Sequence, residues 1–151
     1  NGNTGAQQEV LAAMKGNFGT TLAAPSITSA RFVTSTPTAG SSKTVTVEVT
    51  WDERVTIAGS PQITLANGNE GSGSGRTCVL TYTGTGSTAN RKRFTATNIT
   101  VAASDVITLG GGSQADIALN SGTLSDTTVG GTTTAALLVL TALSAQTQTI
   151  A

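Results

Sequence analysis

The stretch from Val45 to Tyr82 constrains this chain more than any other. Val45, Val47, Val49 and Trp51 alternate with Thr46, Glu48 and Thr50. Successive side chains of an extended chain point to opposite faces, so this period of two belongs to a half-buried strand. Val55-Thr56-Ile57 and Ile63-Thr64-Leu65 repeat the pattern, and Gly59-Ser60-Pro61 between them reads as a turn. Arg76 to Tyr82 resumes it beyond a Gly/Ser loop, with Cys78, Leu80 and Tyr82 in alternation. Short strands in such close succession point to a sandwich.

The rest of the chain extends this reading in both directions. Ile27 to Thr34 is expected to be a first strand, with Ala30 and Phe32 on one face. Arg91 opens a strand that carries Phe94, Ala96, Ile99 and Val101, and Asp105 to Leu109 forms a short one broken by Gly110-Gly111-Gly112. Ile117-Ala118-Leu119 precedes a turn at Asn120-Ser121-Gly122. The apolar run that starts at Ala135 is expected to begin as a core strand, and Thr141 to Ala151 to be a polar tail or arm. Only Gln7 to Lys15 reads as helix. It is rich in helix formers, with Glu9 early, Lys15 late and Gly16 after it. Val10, Leu11 and Met14 make a short apolar stripe there, followed by Phe18. A helix this short is marginal alone and must dock on its own domain or on a neighbouring subunit. The expected organisation is an arm over 1–25, a β-sandwich over 26–141 and a tail over 142–151.

Composition narrows the function classes. At 151 residues the chain is expected to make one domain, or one domain with arms. Aromatic residues are only 3%, so the core must be built from Val, Ile, Leu and Ala. Eight basic residues balance eight acidic ones. Binding of nucleic acid or anionic lipid draws on a surplus of Lys and Arg, so neither is an expected partner. The longest apolar run, Ala135 to Leu140, is far too short to span a bilayer as a helix. Cys78 is the only cysteine, and its place in the strand pattern makes it a buried thiol.

Chemistry finds little purchase. The chain has no histidine, which removes Ser-His-Asp and Cys-His sites. Lys15, Lys43 and Lys92 could each serve a Ser–Lys dyad, but none stands near a recognisable nucleophile turn. Asp52 and Glu53 are adjacent and point to opposite faces if extended, which does not make an acid/base pair. Asp52, Glu53, Asp105, Asp116 and Asp126 all fall near expected turns. Calcium needs several oxygens clustered, and no dense Asp-x-Asp loop supplies them. Gly71 to Arg76 lacks the Gly-Lys-Ser/Thr ending and the following helix of a phosphate loop. Asn98-Ile99-Thr100 fits a glycosylation sequon inside an expected strand. No catalytic, cofactor-binding or metal-binding residue is assigned, and the chain is expected not to be an enzyme. Arg91-Lys92-Arg93 is the one basic cluster. Without stacking aromatics nearby it fits a strand-end salt bridge or a subunit contact better than nucleic acid.

Taken in order, these motifs resemble the immunoglobulin-like repeats of large bacterial surface proteins. Val45 to Leu65 is similar to the opening of such repeats, a strand followed by "F-s-E-x-V" and "x-V-x-G-x-P-x-L-x-L". Tyr82 to Ser87 is similar to their Y-x-G-x-G segment, Val101 to Asp105 to a V-x-A-G-D turn, and Ile117 to Asp126 to the "I-x-L-x-x-G-x-I-x-D" ending. The likeness covers roughly residues 26 to 141. Trp51 stands where Phe is usual, and Ser104 replaces the glycine of the last turn. The resemblance implies an Ig-like Greek-key β-sandwich that serves adhesion, spacing or display. Similar modules decorate phage capsids and tails.

Two functions follow as expectations. One is a virion structural protein, a bacteriophage capsid decoration or cement protein present in many copies. It would dock on capsid or tail subunits through Val10, Leu11, Met14, Phe18, Arg91, Lys92 and Arg93. The other is an extracellular Ig-like module of a bacterial adhesin or surface-layer protein. Such modules come in tandem, whereas no second copy is present here. A carbohydrate-binding module is a third, weaker reading, since Trp51 is expected inside rather than on a sugar platform.

Overall fold

The computed structural model describes residues 24–35, 37–69, 76–112, 114–126 and 135–151. The expected helix over Gln7 to Lys15, with Val10, Leu11, Met14 and Phe18, lies outside them. The described residues are all β, with no helix among them. In chain order the strands are β1 (Ile27–Phe32), β2 (Gly40–Trp51), β3 (Val55–Ala58), β4 (Gln62–Asn69), β5 (Arg76–Tyr82), β6 (Arg91–Val101), β7 (Asp105–Leu109), β8 (Thr123–Asp126) and β9 (Gln146–Thr149).

The alternating run at Val45 is the C-terminal part of β2, which begins earlier than the apolar residues do because Gly40 pairs with Val101 of β6. β2 lies between β1 and β6, and the register brings Val47 opposite both Phe32 and Phe94. Seven strands form one antiparallel sheet in the order β1-β2-β6-β5-β4-β7-β9, and β3 pairs with β8 in a second sheet of two strands. The strands thus divide unequally between the two sheets. The large sheet curls into a half-barrel around the side chains of its concave face.

That face holds the core: Val45, Val47, Val49 and Trp51 from β2, Ile63 and Leu65 from β4, Cys78 and Leu80 from β5, Phe94 and Ala96 from β6, and Ile107 and Leu109 from β7. Val55 and Leu124 contribute from the small sheet. Trp51 is fully buried, and its Nε1 donates to the Leu137 carbonyl at 3.2 Å. Cys78 is buried as expected, and desolvation pushes its thiol up to about 11.

Two stretches near the C-terminus differ from expectation. Residues 136–140 form no ladder strand. Ala136, Leu138 and Leu140 still turn inward or half inward, but the backbone bonds singly to Leu124, Pro25 and Ile117 instead of running along one partner. The composition is mostly Ala and Leu, with Val139 the one β-branched residue of the five, so it supplies apolar surface with little propensity for a pleat. Within the expected tail over 142–151, Gln146–Thr149 form β9 and pair with Leu109 to Val106 of β7. Ile150 is buried, and its carbonyl accepts from Ser104 N–H at 2.9 Å. Gln146 Nε2 donates to the Ala30 carbonyl at 2.6 Å, and Gln148 Nε2 to that of Thr34 at 3.0 Å. Side chains of β9 thus reach β1 and its following residues, so the two outer edges of the curled sheet meet through glutamine amides.

Candidate interaction face around Glu48

The outer face of β2 is the polar half of the alternation that defines the strand. Glu48 stands at its centre. The antiparallel register places Arg31 of β1 and Arg93 of β6 directly across from it on either side. Neighbours directly opposite on a sheet are within reach of one another's side chains. Arg31 sends Nη2 to Glu48 Oε1 at 2.7 Å and Nε to the same oxygen at 3.1 Å. Arg93 Nε donates to Oε2 at 3.1 Å. Arg91, beside Thr50 in the register, brings Nη1 to 3.8 Å from Oε1.

Three guanidinium groups therefore share one carboxylate, which leaves a net +2 (three positive charges, one negative) on this face. Glu48 is covered, with 2% of its side chain exposed, while Arg31, Arg91 and Arg93 remain 59%, 45% and 32% exposed. Burial alone would raise the Glu48 carboxyl. The hydrogen bonds from Arg31 and Arg93 and the charges of Arg31 and Arg91 outweigh it and hold the group below its ordinary value. The buried carboxylate thus works as a tie that orders three outward-facing arginines. Around it, Thr46 and Thr95 share a hydroxyl–hydroxyl contact of 3.1 Å.

Of the basic cluster expected to act as a unit, only Arg91 and Arg93 come to this face. Lys92, one residue out of phase, pairs with Val49 on the opposite side of the sheet, where it is buried and donates to the Thr88 carbonyl at 2.9 Å. Sequence reasoning singled out neither Arg31 nor Glu48 as part of a site. The signal was their position on the polar phase of adjoining strands, but pairing across positions 31, 48 and 93 requires the register of three strands.

The carboxylates weighed as calcium ligands do not gather. Among the described residues, no three acidic, cysteine or histidine side chains come together in a way that could hold a metal. Asp52 accepts the Ser26 N–H at 2.8 Å, and Asp105 accepts the Ala102 N–H at 2.8 Å, closing the turn before β7. No helix among the described residues is long and apolar enough to cross a membrane. No family model, curated protein or solved structure matches this chain.

Proposed function

We propose that this chain is a non-enzymatic structural protein of a virion, a capsid decoration or cement protein that docks on neighbouring subunits and displays an Ig-like β-domain. The observation that supports docking most is the arginine face, in which one covered carboxylate lies within 3.8 Å of three partly exposed guanidinium groups and is hydrogen-bonded by two of them. Arginine is favoured at interfaces because its planar fork can form paired bonds to carboxylates and loses little freedom in doing so. Ordering the three groups beforehand lowers the entropic cost of binding. The partner face it fits is acidic. The apolar stripe of Val10, Leu11 and Met14, with Phe18, supplies a second contact in this reading. The Ig-like Greek-key assignment belongs to the same proposal: it rests on the order of motifs from Val45 to Asp126 and on the antiparallel pairing of their strands. Removing residues 1–20 is expected to reduce occupancy on the particle, measured by stoichiometry after purification. Unchanged occupancy would reject the arm as an anchor.

A specific observation also favours the second reading, an extracellular module of an adhesin or surface-layer protein. Ser26 lies beside Asp52 at one end of β2, and Ala151 lies beside Ala39 at the other. The twelve residues of β2 set these ends about 36 Å apart. A domain entered at one end and left at the other suits a linear array. A covalent tandem of two such domains separates the readings: an extended shape in small-angle scattering, with no particle attachment by the single domain, favours the array.

A further inference from the structure

The sequence grouped Lys92 with its arginine neighbours, but the fold sends it into a different place. An open pocket of about 540 Å³ lies between β3, the loop after β5 and the start of β6, with Arg54, Tyr82, Ser87, Thr88 and Lys92 in its lining. Lys92 is 8% exposed, and its ammonium group donates to one acceptor, the Thr88 carbonyl. An ammonium group has three donors, so two remain to be satisfied. Arg54 lines the same pocket, and no ion pair joins either cation to a carboxylate among the described residues. Glu48 serves the arginines of the outer face, across the sheet from Lys92.

An open hollow lined by two cations, one of them largely buried, has the electrostatics to attract an anion. We propose that this pocket is a binding site for a small oxyanion, a phosphate or sulfate group, held between Arg54 and Lys92. Hydroxyl groups complete the lining. Ser87 Oγ already accepts from Arg93 N–H at 3.0 Å, which leaves its own proton to donate. Tyr82 presents a phenol at the rim beside Gly84, and its ring leans on Phe94 with centroids 6.0 Å apart. Val55, Ile57 and Ala89 form the apolar part of the wall, room for a compact organic body carrying the anionic group.

The proximity of Arg54 already shows in Lys92. Burial and then the charge of Arg54 depress its ionisation below the ordinary 10.5. A bound oxyanion would reverse that direction, a response that simple structural packing of Lys92 does not produce.

The test uses the whole chain with inorganic phosphate and, separately, sulfate at low ionic strength, followed by amide chemical shifts and by the side-chain resonances of Lys92. A second arm uses glycerol phosphate, which engages the apolar wall as well. The expected result is saturable shifts at Thr56, Ser87, Thr88 and Lys92, with the Lys92 titration moving up on binding. Affinity should fall about tenfold or more in both Arg54→Gln and Lys92→Met, since charge-assisted bonds are the strong ones. It should be retained in Arg31→Gln, which changes the other face. Arg54 is exposed, so its variant folds even if the Lys92 variant does not. An absence of saturable shifts, shifts confined to the outer arginines, or an affinity unchanged in Arg54→Gln would overturn the proposal.

Discussion

Glu48 is the residue on which the outer face depends. Glu48→Gln removes the charge while keeping the shape, and leaves three guanidinium groups without their common partner. The expected loss is about 1–3 kcal/mol in chemical denaturation, in the range for hydrogen bonds to charged groups and reduced by salt because the arginines are partly solvated. The pH dependence has a definite sign. The folded-state carboxyl sits below its ordinary 4.5, so on acidification the unfolded chain takes up the proton first. The contribution of Glu48 is therefore fully present above about 4.5 and is lost as pH falls through the lower folded value, and the acid limb of the stability curve should flatten in Glu48→Gln. Inside the sheet, Trp51→Ala should cost about 3–5 kcal/mol, because the ring is wholly buried and its N–H is bonded; a loss near zero would show the ring to be dispensable. Ser104 carries a φ of 67°, the left-handed region that favours glycine. It occupies the turn where the resembling repeats carry glycine. Ser104→Gly should hold or raise the melting temperature, by a gain of up to about 1 kcal/mol, since the Ser104 N–H to Ile150 bond survives the change. At this scale the buried side chains were legible in the sequence, since Val45, Val47, Val49, Trp51 and Phe94 announce their face by alternation. The charged site was not, because Arg31, Glu48 and Arg93 meet only once three strands are aligned.

Among the elements, most strands that bury one face could be read directly, whereas β8 (Thr123–Asp126), which was not expected as a strand, and β9 could not. The Gln-Thr-Gln-Thr sequence of β9 has no apolar face. Yet one side chain in two is used, as Gln146 and Gln148 donate to β1 and to the residue beyond Val33. An alternation of polar residues with polar residues carries no periodic signal, and so the stretch resembled a tail. The segment 136–140 erred the other way, with the apolar content of a core strand but no continuous partner for its backbone. The glutamine seam gives a local prediction. Replacing Gln146 and Gln148 by Ala should cost about 0.5–1.5 kcal/mol per bond and should speed amide hydrogen exchange in β9 more than in β2 or β6. Equal acceleration everywhere would mean that the seam is part of the global unfolding unit rather than a local closure.

For the whole molecule, the half-barrel separates its chemistry by face. The concave side is filled with apolar side chains, the convex side carries an arginine surface tied by Glu48, and Lys92 with Arg54 faces a pocket of its own. What the described outer face offers a partner is charge gathered around one carboxylate. A docking role makes binding dependent on Arg31, Arg91 and Arg93 and sensitive to salt, since exposed charges are screened beyond about 8 Å at physiological ionic strength. The most direct measurement is the structure of the chain within the assembly that carries it, by electron cryo-microscopy. A docking role requires many copies, with Arg31, Arg91 and Arg93 covered by a neighbouring subunit and within about 4 Å of its carboxylates. Solitary chains, or copies whose arginine face lies open to solvent, would contradict it.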